Sequence, residues 1–106
     1  FKLLLDSSLP AINSIFLNGF FLAISSNEFE DATYFDQLIK NHFYAENEAY
    51  LRTVYLYAKG EFLYRKGEKE IGLEKMEQAI QVLSILDCKD SANYYKQGLQ
   101  ELINKS

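Results

Sequence analysis

His42 and Cys88 are the only imidazole and the only thiol in this chain. Structural metal sites draw four ligands from such groups, and Cys–His or Ser–His catalysis needs a histidine set against its nucleophile. Neither chemistry is expected here. Carboxylates are plentiful, but Glu70, Glu74 and Glu77 interleave with Lys69, Lys75 and Gln78. That is a solvated helix face, where each i,i+4 pair contributes about 0.2–0.5 kcal/mol. Gly60 and Gly67 are not spaced as a phosphate-cradling loop. His42, beside Phe43 near a helix end, suits capping or the helix dipole better than catalysis. No catalytic residue, metal ligand or cofactor is expected, and the chain reads as a non-enzyme whose work is recognition.

Bulk properties narrow the partners. Net charge is −4 over 106 residues, and the densest basic group, Arg65, Lys66 and Lys69, sits at a helix turn. That is no nucleic-acid footprint. No run approaches the roughly 20 apolar residues of a membrane span, and Lys2 and Asp6 spoil a leader sequence. A lone Cys88 allows no intramolecular disulfide, which points to a reducing, cytoplasmic setting. The thiol itself reads as structural, with a redox or intermolecular role as the minor alternative. Eight Tyr and eight Phe without Trp supply rings for helix packing or for a ligand groove. The chain starts at Phe1 without an initiator Met and reads as a piece of a longer protein, positions 1–106 forming one helical-repeat domain.

Five helices are expected. Ser7 or Ser8 caps the first, with Pro10 harmless in its opening turn, and it runs to about Ile24 with Ile12, Ile15, Phe16, Phe20 and Ala23 at helical spacing. Ser26 or Asn27 caps the second, which presents Phe29, Ala32, Phe35, Leu38, Ile39 and Phe43 on one side. The third spans Glu46 to Lys66 and stops at Gly67, a left-handed closing position. The fourth runs from about Glu68 to Leu86 with Gly72, Met76, Ala79 and Leu83 on one face. Asp90 or Ser91 caps the last, which carries Ala92, Tyr95, Leu99, Leu102 and Ile103. No segment alternates with strand period, so the fold class is all-α.

Small residues at Gly60, Gly72 and Ala79, with bulk at Leu56, Leu63 and Met76, follow the spacing of a tetratricopeptide-type hairpin. Two helices cross closely where one offers a small residue to the other's bulk. The pattern has gaps. Lys59 stands where it asks for Leu, Gly72 replaces Ala, Ser84 holds the place of Pro, and Asp36 falls where the first pair should carry an aromatic. Ala32 nevertheless opens the second helix as Gly72 opens the fourth. The expectation is a right-handed array of two tetratricopeptide-like hairpins with a terminal capping helix.

From Leu56 onward the run GEFLYRKGEKEIGLEKMEQAIQVLSILDCKDSANYYKQGLQEL, with its KGE turn, Gly72, the Met76-to-Ile80 segment and Ala92 to Tyr95, resembles the C-terminal domain of the Rgg/GadR/MutR transcriptional regulators of Gram-positive bacteria. The resemblance implies an N-terminal helix-turn-helix DNA reader outside this chain, a repeat array that forms homodimers, and a short signalling peptide bound on the concave side. Ligand binding would then shift how two subunits hold their DNA readers. In such arrays the first helix of each pair lines the inner face. That makes Asn18, Phe21, Tyr57, Glu61 and Tyr64 the candidate peptide-binding residues: Asn18 for the peptide backbone, the rings for apolar side chains, Glu61 for a basic group. Leu99, Leu102 and Ile103 are candidates for a dimer interface at the terminal helix. The other classes in play are an interaction scaffold without a DNA-binding domain and an all-α enzyme fragment whose catalytic residues lie elsewhere.

Overall fold

In the computed structural model, which describes residues 9–42 and 49–105 and the side chains of 15–41 and 49–105, five helices follow one another. They are α1 (Leu9–Ser25), α2 (Phe29–His42), α3 (Ala49–Arg65), α4 (Lys69–Ile85) and α5 (Lys89–Lys105). The described residues contain no strand, as the absence of period-2 patterning implies. None of the helices is long and apolar enough to cross a membrane.

The three described turns are built alike. Asn27, Gly67 and Asp87 all have positive φ, at 56°, 110° and 62°. At each turn two N–H groups fold back onto the end of the preceding helix. Asn27 N donates to Ile24 O (3.0 Å) and Glu28 N to Ala23 O (2.9 Å), and Gly67 with Glu68, and Asp87 with Cys88, repeat the same pair of bonds. This double closure satisfies carbonyls that a helix end leaves open. The next helix then begins at once, with Ala32, Gly72 and Ala92 donating their N–H groups to the carbonyls of Glu28, Glu68 and Cys88. All three of these small residues are buried.

This corrects two boundaries. Asn27 closes α1 instead of capping α2, and Asp90 and Ser91 lie inside the first turn of α5. Backbone closure, requiring only a residue that tolerates left-handed φ, takes the place of a side-chain cap. Ser7, Ser8, Phe43 and Glu46 lie outside the described residues.

Small residues set the helix crossings. A Cβ on Gly60 would lie 2.7 Å from the Gly72 carbonyl oxygen, and one on Gly72 would lie 2.5 Å from that of Gly60. The backbones of α3 and α4 therefore touch. Gly19 plays the matching part in the first hairpin, where a Cβ would run into the Phe35 ring at 2.4 Å. One core joins the hairpins through Leu17, Phe20, Ile24, Ile39, Val54, Ala58 and Phe62, and a second joins α3, α4 and α5 through Tyr57, Tyr64, Met76, Ala79 and Leu99. Phe20, Ile24, Ile39, Met76 and Leu83 are fully enclosed, each stabilising the fold by about 1.5–3 kcal/mol.

The two charges that break the hairpin pattern meet each other. Asp36 on α2 is 5% exposed and accepts hydrogen bonds from the Lys59 ammonium and the Tyr55 hydroxyl of α3, both at 2.5 Å. Lys40 adds a second cation at 3.5 Å. Burial works against an ionised Asp36, but these donors and cations override it and hold the carboxyl below its ordinary 3.8. The same burial, with Asp36 as acceptor, pushes the Tyr55 phenol far above its usual range.

Candidate functional site

α1, α3 and α5 converge on a groove of about 790 Å³. Its floor is aromatic. Phe21 stacks on Tyr95 with ring centroids 6.2 Å apart, and Tyr57 meets Tyr95 at 4.6 Å and Phe21 at 6.4 Å. The Tyr57 hydroxyl donates to the Tyr95 carbonyl oxygen at 3.2 Å, which pins α3 to α5. Gly98 keeps that approach open, since a Cβ there would stand 3.3 Å from the same hydroxyl. Ring pairs of this kind contribute about 0.5–1.5 kcal/mol beyond their buried area. The floor is therefore a packed cluster of three rings.

The rim is exposed. Leu22, Tyr50 and Tyr94 are 69%, 41% and 70% exposed and line the same groove. Tyr50 also shares a 3.0 Å hydrogen bond with Ser91, a second tie between α3 and α5. Asn18, Ser25 and Gln97 supply neutral polar groups. Exposed rings beside the half-buried Phe21 and Tyr95 and the buried Tyr57 give the groove a largely aromatic face.

Glu61 stands against this floor and is held by Arg65 at 3.0 Å. Burial, and then the Glu61 charge, keep the Tyr57 phenol well above its ordinary 10.0. Burial pushes Tyr95 up to about 12, with the neighbouring Tyr50, Tyr94 and Glu61 adding to it. Both phenols are neutral hydrogen-bonding groups at physiological pH.

Asn18, Phe21, Tyr57 and Glu61 are thus brought together on one groove. Tyr64 is not with them. It is 6% exposed in the core under α4, because the backbones of α3 and α4 meet at its level: a Cβ on Gly72 would lie 2.9 Å from the Tyr64 Cβ. The Lys69 ammonium covers its ring at 5.5 Å. Sequence reasoning missed Tyr50, Tyr94, Tyr95, Gln97 and Glu101 as groove residues. It took α5 for a cap, although the Tyr94–Tyr95 pair on that helix is a signal that was available.

The trio Leu99, Leu102 and Ile103 divides by depth. Leu99 is 7% exposed in the core, Leu102 packs against that core, and Ile103 is 44% exposed. The basic residues at the α3–α4 turn are engaged locally, Arg65 with Glu61, Lys66 over the Phe62 ring at 4.9 Å and Lys69 over Tyr64. Cys88 sits half-buried in the α4–α5 turn, its thiol 3.8 Å from the Leu86 carbonyl oxygen. Among the described residues no group of His, Cys, Asp and Glu is arranged to hold a metal ion.

A family model described as the C-terminal domain of the HTH-type transcriptional regulator Rgg matches residues 5–97 of the chain. No curated protein matches it.

Proposed function

The chain belongs to the family of Rgg C-terminal domains and is part of an Rgg-type transcriptional regulator; from that premise we propose that it is the peptide-sensing and dimerising end of the regulator. The observation that carries this reading is the aromatic groove on α1, α3 and α5. An extended peptide can bury alternate side chains on Phe21, Tyr57 and Tyr95, while Asn18 and Gln97 offer donors and acceptors to its backbone. Because three helices form the walls, a ligand that bridges them favours one relative placement of the hairpins and the terminal helix. Differential affinity for that placement is what allows a ligand to shift a population.

The tetratricopeptide likeness supports the reading: the Gly60–Gly72 crossing is the small-residue contact such a hairpin uses. DNA contact is assigned to an N-terminal helix-turn-helix domain, the setting to the cytoplasm, and catalysis to neither part. Two copies would pair through α5, Leu99 and Leu102 seating the helix and Ile103 meeting the partner, about a two-fold axis as homodimers commonly do.

The test starts from peptides selected on the full chain from a random octapeptide display library. Tyr94→Ala and Asn18→Ala change exposed groove residues, so far-UV helicity should stay the same. Affinity for a selected peptide should fall by at least about tenfold for Tyr94→Ala. Unchanged affinity in both variants would remove the groove from the site. Sedimentation of the same preparations reads the pairing, and a monomer at every concentration would contradict it.

A further inference from the structure

Among the described residues, the charged side chains lining the groove are Glu61 and Glu101, and no Lys or Arg lines it. They come from different helices, Glu61 from α3 and Glu101 from α5. Tyr50 of α3 meets Ser91 of α5, and one stretch further along, Tyr57 meets Tyr95 and Gly98. Beyond those contacts both carboxylates line the same groove. Glu61 is partly neutralised by Arg65. Glu101 is exposed and makes no ion pair among the described residues. Tyr57, Tyr95 and the exposed Tyr94 line the same groove and offer their ring faces to it.

We propose that the groove selects a peptide carrying a basic side chain, seated between the Glu61 and Glu101 carboxylates against the tyrosine rings. The inference rests on the peptide-sensing reading and names the ligand's chemistry. Two effects act together. A cation among carboxylates gains charge-assisted hydrogen bonds, and a guanidinium or ammonium over an aromatic face gains about 0.5–2 kcal/mol of cation–π attraction. An acidic peptide meets the Glu101 carboxylate as a like charge, so the groove also discriminates by repulsion. The apolar residues flanking the basic one would lie on Phe21 and against Leu22.

The experiment sequences the octapeptides selected on the full chain and resynthesises a binder with its amino terminus acetylated. The arginine form, its citrulline analogue and its glutamate analogue are then titrated against the wild-type chain and against Glu101→Gln, a surface change that leaves the core intact. Selected peptides should carry Arg or Lys at a fixed place, and citrulline should weaken binding about tenfold on the wild-type chain but much less on Glu101→Gln. Binders without a basic residue would overturn the inference while upholding peptide sensing. So would an arginine-to-citrulline loss that is identical on both proteins, or binding that acetylation abolishes. A selection that yields no binder at all would sink the peptide-sensing reading and this inference with it.

Discussion

Gly72→Val is expected to cost about 3 kcal/mol or more and to lower the melting temperature by more than about 10 °C. Overpacking a core ordinarily costs about 1–3 kcal/mol because neighbouring side chains give way. Here the neighbour is backbone. A Cβ on Gly72 stands 2.5 Å from the Gly60 carbonyl oxygen and 2.7 Å from the Tyr64 amide nitrogen, so α3 and α4 must move apart. Gly72→Ala makes the point through its sign. Glycine within a helix is normally about 0.5–1 kcal/mol worse than alanine, yet alanine should destabilise here by about 2 kcal/mol, towards the upper part of the overpacking range. Gly98→Ala is the comparison: its Cβ would approach only the Tyr57 hydroxyl, at 3.3 Å, and its effect should stay within about 1 kcal/mol. Thermal melts of the three variants decide the matter. A Gly72→Ala chain more stable than the wild type would mean that α3 and α4 do not cross at this pair.

Asp36→Ala should be the next most damaging change, at about 3 kcal/mol. Removing one member of a buried pair leaves the other desolvated and unpartnered, which costs about 3–5 kcal/mol. The lower end applies because Lys59 retains some contact with water. Asp36→Leu combined with Lys59→Leu should recover most of the loss, since an apolar pair fills the space without a desolvated charge. Acid sensitivity provides a second reading. The folded state holds the Asp36 carboxyl below its ordinary 3.8, so in acid this group binds fewer protons when folded than when unfolded. That stabilisation is present at neutral pH and is lost as pH falls below about 4 through the folded value. Denaturant midpoints measured against pH should show this loss in the wild type and a smaller one in the double-leucine variant. Equal acid dependence in both would mean that Asp36 is not the buried anion of the interface.

Much of this architecture was legible because it depends on local pattern. Gly60, Gly72 and Gly67 marked a crossing and a turn through glycine's special backbone, and the helix count followed from apolar spacing. The turn at Asp87 was harder to see, because the closure there uses only main-chain bonds and an aspartate that tolerates positive φ. Gly19, which admits the Phe35 ring, was hidden in a segment apolar on most sides. Lys59 and Asp36 each looked like a defect in a repeat. Two opposite charges in apolar slots of neighbouring hairpins are in fact a pairing signal, visible only when both departures are considered together. The groove was half legible. Counting along α1 and α3 found Asn18, Phe21, Tyr57 and Glu61, but the α5 wall of Tyr94, Tyr95, Gln97 and Glu101 depends on how the last helix returns against α3. That placement rests on the core around Leu99 and on the Tyr57–Tyr95 and Tyr50–Ser91 bonds, which no single helix pattern contains. Tyr64 continues the same helical count, and only the closeness of α4 sends it into the core.

The claim that this domain senses a peptide on α1, α3 and α5 is tested most directly by amide shift mapping of the isotope-labelled full chain with a display-selected peptide. The account predicts shifts concentrated at Asn18, Phe21, Tyr57, Gln97 and Glu101. Shifts clustered instead around the exposed Ile71, Val82 and Ile85 of α4, with the groove unperturbed, would contradict it.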